Sequence, residues 1–223
     1  MTLSEQHGTS AAEGAQAPPE GYGAHLRRCR EQRGLSARAL ARSVGVSPSL
    51  ISQIENGKAN PSVGTLYAIV SALGVSFDQL FSDAASQHDG DDGAVPDRSR
   101  VSDHVVLRKE DRPFVDLDGG VRWERLTPTP DANVDFLFAT YGVGGESCPP
   151  DALMRHSGRE YGLMLSGRLG ATIGFDTYEL GPGDSIVADS SKAHRFWTIG
   201  DEPAVVVWTV IGRGADPRAA LRP

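Results

Sequence analysis

The chain is expected to fold as two domains of different class, a bundle of short helices followed by an all-β sandwich or barrel. Three observations carry this expectation. Between Tyr22 and Phe81, apolar residues recur at helical spacing and the helix boundaries carry cap residues. Residues 82–100 are rich in Asp, Ser and Gly with one Pro, the composition of a linker. From about Val101 the pattern changes to short β-rich runs with turn residues between them.

Taken in order, Met1–Glu20 is rich in Ala, Gly, Ser, Gln and Pro and is expected to be a disordered tail. Tyr22–Arg33 is a first helix. Ser36 caps a second, with Leu35 and Leu40 as its hydrophobic staple and Gly45 after its end. Ser47–Asn56 is a third, with Pro48 at the first helical position, where no N–H is needed. Ser62 opens a fourth, in which Leu66, Ile69, Val70 and Leu73 precede Gly74, and Ser76 opens a fifth that runs to Phe81. Strands are expected at Val105–Arg108, Val121–Leu126, Phe136–Tyr141, Tyr161–Leu165, Leu169–Gly174, Ser185–Ala188, His194–Thr198 and Ala204–Ile211. The resulting divisions are a tail at 1–20, a helical domain at 21–81, a linker at 82–100, a β domain at 101–213 and a tail at 214–223.

Composition narrows the function classes. Apolar runs are too short to span a bilayer, and the N-terminus has no apolar signal core, so a cytoplasmic protein is expected. Cys29 and Cys148 lie far apart and are read as free thiols. The net charge of −7 is unevenly spread. Residues 21–81 hold seven Lys or Arg against three acids, a net of +4, which leaves −11 for the remainder. A basic module on an acidic body suits a phosphate-binding domain joined to one that does not bind phosphate.

The third helix has a dry side and a polar side. With Ile51 at 0°, Ile54 falls at about −60° and Leu50 at about −100°, while Ser49, Ser52, Gln53 and Asn56 fall at roughly 100–200°. A small, wholly polar face suits the reading of base edges in a major groove. Ser49, Ser52 and Gln53 are assigned to bases, with Gln53 able to pair with adenine through two bonds. Ser36, Arg38, Arg42, Asn56 and Lys58 are assigned to phosphates, and Ser47 joins the DNA-facing set. A helical protein-interaction module with a merely solvated face is the alternative. Glu55 falls on the dry side, at about 40°, where a carboxylate needs a cation; Arg30 of the first helix is the candidate.

The stretch Tyr22–Phe81 resembles the phage-repressor-like (XRE-type) helix-turn-helix family. The resemblance rests on Leu40-Ala41, Gly45-Val46-Ser47, Ile51 through Lys58, Pro61-Ser62 and Leu73-Gly74-Val75. It implies binding to a double-stranded operator as a dimer, with the third helix in the major groove, and a structural pair between Arg30 and Glu55.

In the second half, His156 and Glu160 are four residues apart and His194 lies 34 residues beyond Glu160. Two imidazoles and a carboxylate can make a facial triad for non-haem iron, or a three-ligand zinc site. Residues 101–212 resemble the cupin family: His156, Glu160 and Gly167 match the second His, the Glu and the last Gly of its first motif, and Gly183 and His194 match its second motif. The resemblance implies a double-stranded β-barrel (jelly roll) with a pocket inside. Met154 stands where the family has its first metal-binding His, and Cys148 where it has a Gly. Two occupants therefore stay open: a divalent metal (Fe, Zn, Ni or Mn) on His156, Glu160 and His194, or an effector held by hydrogen bonds. The expected pocket residues are Met154, His156, Glu160, His194, Phe196 and Thr198.

Together the halves resemble bacterial transcription regulators that pair such a helix-turn-helix with a C-terminal cupin sensor. The resemblance implies a non-enzymatic, homodimeric or higher-order DNA-binding protein that answers to a small molecule. Because of the linker, coupling is expected through dimer geometry rather than through packed side chains. The alternative is a mononuclear non-haem iron enzyme, an epoxidase- or dioxygenase-like cupin with a helix-turn-helix accessory domain.

Overall fold

A computed structural model describes residues 21–75, 77, 80, 105–131 and 133–212. The expected tails and the linker lie outside these residues.

The helical half contains α1 (Tyr22–Gln32), α2 (Ala37–Val44), α3 (Pro48–Glu55) and α4 (Val63–Leu73). The cap chemistry operates as expected. Ser36, Ser47 and Ser62 each accept a hydrogen bond from the backbone N–H three residues on, satisfying a donor the first helical turn leaves open. Gly45 and Gly74 take left-handed backbone conformations at the ends of α2 and α4, where a side chain would be strained. Leu26, Leu40, Ile51, Ile54, Leu66, Ile69 and Leu73 fill the centre of the bundle. Four helices are bounded among the described residues, against the five expected. The fifth falls mostly on undescribed positions, although Phe77 and Leu80 within it are helical and buried.

Among the described residues the β half has nine strands: β1 (Phe114–Leu117), β2 (Val121–Arg125), β3 (Val134–Tyr141), β4 (Arg159–Ser166), β5 (Leu169–Ile173), β6 (Asp176–Leu180), β7 (Ser185–Asp189), β8 (His194–Thr198) and β9 (Ala204–Ile211). They form a six-stranded sheet in the order β1-β2-β3-β9-β4-β7 and a three-stranded sheet in the order β6-β5-β8. Every pairing is antiparallel. Alternation along β4 and β8 turns Glu160 inward from one sheet and His194, Phe196 and Thr198 inward from the other.

Three strand expectations change. Val105–Arg108 is not a strand; Val105 is 84% exposed, so the run lacks the half-buried face that stabilises one. β1 and β6 were not foreseen. β1 has only four residues, and β6 buries only Leu180, so neither leaves a period-two hydrophobic signature.

The two halves share one hydrophobic core. A single cluster of buried side chains continues from the helical bundle into the β domain, with Tyr67, Phe77 and Trp123 among its members. Tyr67 packs on both Phe77 and Trp123, with ring centroids 4.7 and 5.6 Å away. The backbone joins too. The N–H of Gly64, in the first turn of α4, donates to the carbonyl of Ser147 at 3.2 Å, and that of Asp118 donates to Pro61 at 2.9 Å. A Cβ at Gly64 would stand 3.4 Å from the Cβ of Cys148, so glycine permits the close approach. Packed side chains therefore run from the helical domain to the barrel, which corrects the expectation that dimer geometry alone would connect them.

Candidate functional site

Ser36, Arg38, Arg42, Ser47, Ser49, Ser52, Gln53, Asn56 and Lys58 are all exposed. The opposite side of α3 is anchored by Ile51 and Ile54 and by an ion pair. Arg30 donates from Nε to Glu55 Oε1 at 2.6 Å and from Nη2 to Oε2 at 2.8 Å, and its Nη1 reaches the carbonyl of Leu35 at 2.7 Å. Arg30 and Glu55 are each 8% exposed. This two-pronged pair fixes the rotation of α3 on α1, and thereby which side chains it presents outward. Four of the nine have local bonds as well, Ser52 through its hydroxyl, which accepts from Asn56 Nδ2 at 3.4 Å. Ser36 and Ser47 cap helices through their oxygen lone pairs, and Asn56 donates from Nδ2 to the carbonyl of Ser52 at 2.6 Å.

The barrel centre brings together the three residues that the sequence left 38 positions apart. His156 precedes β4, Glu160 lies on β4 and His194 begins β8. Their possible ligand atoms lie within 4.8 Å of one another, and all three residues are buried. His156 Nδ1 donates to the carbonyl of Ser157 at 3.1 Å and His194 Nδ1 to that of Lys192 at 2.8 Å. A carbonyl only accepts, so each Nδ1 carries a proton and each Nε2 is the inward atom. The two Nε2 atoms lie 2.7 and 3.4 Å from Glu160 Oε1. Despite these distances, neither Nε2 has a partner in hydrogen-bonding geometry. Burial alone would raise the Glu160 carboxyl, but the two imidazoles outweigh it and hold it at about 2. Burial would likewise lower His194, and the Glu160 carboxylate reverses this and raises it. Lone pairs converging on a charged carboxylate fit a divalent cation, which would satisfy all three donors at once.

The other expected pocket residues divide. Met154 is buried beside His194, with which it exchanges two backbone hydrogen bonds of 3.0 and 3.1 Å. Phe196 packs on His194 and Trp208. Thr198 does not serve the pocket: its hydroxyl lies 2.7 Å from the carbonyl of Gly142 and 3.2 Å from that of Tyr141, closing the barrel against the end of β3.

Sequence reasoning missed the aromatic walls. Tyr141, Trp123 and Trp208 line the space above Glu160, and so does Tyr67 from the helical domain. Burial first, and the Glu160 carboxylate second, raise the Tyr141 phenol far above its ordinary range, so it stays a neutral hydroxyl. Tyr67 lies flat on His156, with ring centroids 3.9 Å apart and planes 6° from parallel. One signal for it was available: Val63–Leu73 contains no charged residue, and a helix without a charged face is buried on more than one side.

Comparison with known proteins agrees with this architecture. The Helix-turn-helix family matches residues 26–80 and the Cupin domain family residues 137–210. The HTH-type transcriptional regulator PuuR of Escherichia coli (strain K12) is 28% identical over 174 residues, 78% of this chain and 85% of that protein. An HTH-type transcriptional regulator of Sinorhizobium fredii is 38% identical over 58 residues, 26% of this chain and 75% of that protein. Among solved structures, an HTH_3 family transcriptional regulator from Vibrio cholerae superposes with a TM-score of 0.59 at 23% identity, covering 87% of this chain and 97% of that one, which supports the fold. Hydroxypropylphosphonic acid epoxidase from S. wedmorenis aligns over 89% of this chain and all of its own with a TM-score of 0.39 at 21% identity, too loosely to bear on chemistry. The fold and site thus define a two-domain protein with a helix-turn-helix head and a cupin body. The chain belongs to the HTH-type transcriptional regulators. Among the described residues, no helix is long and apolar enough to cross a membrane.

Proposed function

We propose that this regulator reads a two-fold operator as a homodimer in the cytoplasm and that its barrel is the sensing half. The observation that carries the DNA reading is the outward face of α3, flanked by Arg38, Arg42 and Lys58 and held in rotation by the Arg30–Glu55 pair. Ser49, Ser52 and Gln53 meet base edges, and the surrounding cations and hydroxyls meet phosphates. The outer face of the six-stranded sheet supports dimerisation. Phe136, Tyr161, Leu163, Leu165 and Val187 are exposed there, and the register places Phe136, Thr209, Tyr161 and Val187 in one cross-strand row. Such an apolar patch suits a second copy, and a two-fold pair sets recognition helices about 34 Å apart.

In the barrel, His156, Glu160 and His194 hold a divalent metal, which supplies a charge and open coordination positions for an effector. The enzyme alternative is set aside because PuuR, a curated relative aligned over 78% of this chain, is a transcriptional regulator.

The test is titration of the purified chain against its own upstream DNA across a range of salt. A steep loss of affinity with salt and a preference over scrambled sequence are expected; equal affinity for both sequences overturns base reading. Elemental analysis of the same preparation addresses the barrel. Near-stoichiometric metal that disappears in Glu160→Gln is expected. A chain that takes up none of iron, zinc, nickel and manganese excludes the metal assignment.

A further inference from the structure

We propose that α4 is a plug for the barrel, and that a planar, ring-bearing small molecule takes the place of Tyr67 in the slot over His156. Filling the pocket and docking the DNA-binding domain then exclude each other. This rests on the reading of the barrel as the sensing half.

The occupant of the slot belongs to the other domain. The Tyr67 ring is stacked on His156, and Trp123 of the barrel meets it at 72°. A parallel face and one tilted wall select a flat ring, since aromatic edges and faces are complementary in charge. The space left between Tyr67, Trp123, Tyr141, Met154, Phe196 and Trp208 is about 10 Å³. That volume takes about one water molecule, whereas a ligand pocket spans some hundreds of Å³. Room for an effector above Glu160 arises only when Tyr67 leaves.

The geometry allows it to leave. Among the described residues, two backbone hydrogen bonds, at Gly64 and Asp118, tie this end of the helical domain to the barrel, and the rest of the junction is apolar packing. A cleft of about 480 Å³ lies between the domains beside α4 and reaches Met154 and Cys148, giving a route of approach. The face of α3 stays exposed while α4 is docked, so the docked head is able to read DNA. Release trades a fixed separation of two heads for a distribution of separations, which weakens operator binding. Tyr67 acts as an intramolecular competitor, and ligand affinity falls in proportion to the fraction of chains in which it has withdrawn.

The test uses the full chain and 4-methylphenol, the ring of a tyrosine side chain, as probe. Gly64→Cys places a new thiol opposite the native Cys148, at a Cβ separation of 3.4 Å, close to disulfide geometry. Oxidation should link α4 to the barrel, and the linked chain should not bind the probe, whereas its reduced form should. Tyr67→Ala should bind the probe at least about tenfold more tightly than the parent, with Tyr67→Phe unchanged. The plug is overturned if no disulfide forms, if the linked chain binds the probe as well as the reduced one, or if Tyr67→Ala binds no tighter. These readings need no DNA. A chain that meets them without binding DNA would overturn only the regulator reading; one that binds DNA and fails them would overturn only the plug.

Discussion

Two helices of the same domain, α3 and α4, show how surface composition divides the work. α3 is anchored from beneath by Ile51, Ile54 and the Arg30–Glu55 pair, and keeps a polar face toward solvent. α4 has no charged residue, and it buries Leu66, Ile69 and Leu73 on the bundle while Tyr67 packs on the barrel. One helix is built to be read against a foreign surface, the other to join two bodies of one chain. A face that meets a foreign polyanion stays polar; a helix that packs against two bodies of its own chain loses its charges.

The largest way to break this comparison is Glu55→Ala. Removing Glu55 leaves the buried Arg30 with the longer ionic contact to the exposed Glu31, at 3.5 Å, and a cost of up to about 3–5 kcal/mol is expected. Hydrogen exchange should show α1 to α3 losing protection while β3 and β9 keep theirs. Uniform protection throughout would mean that the pair does not hold the reading helix. Next comes Gln53→Ala, with an expected loss of about 1–3 kcal/mol on specific DNA and almost none on scrambled DNA; binding assays on the two sequences decide it. Two caps then separate the roles of the helices. Ser62→Ala and Ser47→Ala should each cost about 1 kcal/mol. Thermal melts followed by both far-ultraviolet signal and tryptophan fluorescence should show Ser62→Ala weakening both domains together, because α4 completes their common core. Ser47→Ala should weaken only the helical signal. The smallest effect belongs to Lys58→Ala, which should lower the salt dependence of DNA binding by about one unit and leave sequence preference intact.

Much of the helical domain was legible because its signals are local. A serine cap, a proline at the first position and a glycine after the last turn each act within a few residues, and Ser36, Ser47, Ser62, Gly45 and Gly74 sit where that chemistry requires. Arg30 and Glu55 were legible for another reason: a carboxylate on a dry helix face demands a partner. The meeting of His156, Glu160 and His194 came through family resemblance, since spacing alone does not bring a residue of β4 opposite one of β8. The aromatic walls were not legible. Tyr67, Trp123, Tyr141 and Trp208 come from four separate elements, and each reads by itself as ordinary core. β6 escaped because four of its five residues are exposed, and β1 because four residues are too few for a period to register.

The continuous cluster from Leu26 to Trp208 has a consequence for how such chains are assembled and exchanged. Reading heads and sensing bodies look like interchangeable parts, and recombination between related genes would tend to shuffle them at the stretch that separates them. Here the seam lies elsewhere, on the surface of α4. A foreign head brought in without a matching tyrosine and glycine would leave a hole above the imidazole and crowd Met154 and Cys148. Successful hybrids would therefore have to inherit the mouth of the barrel together with the helix that fits it.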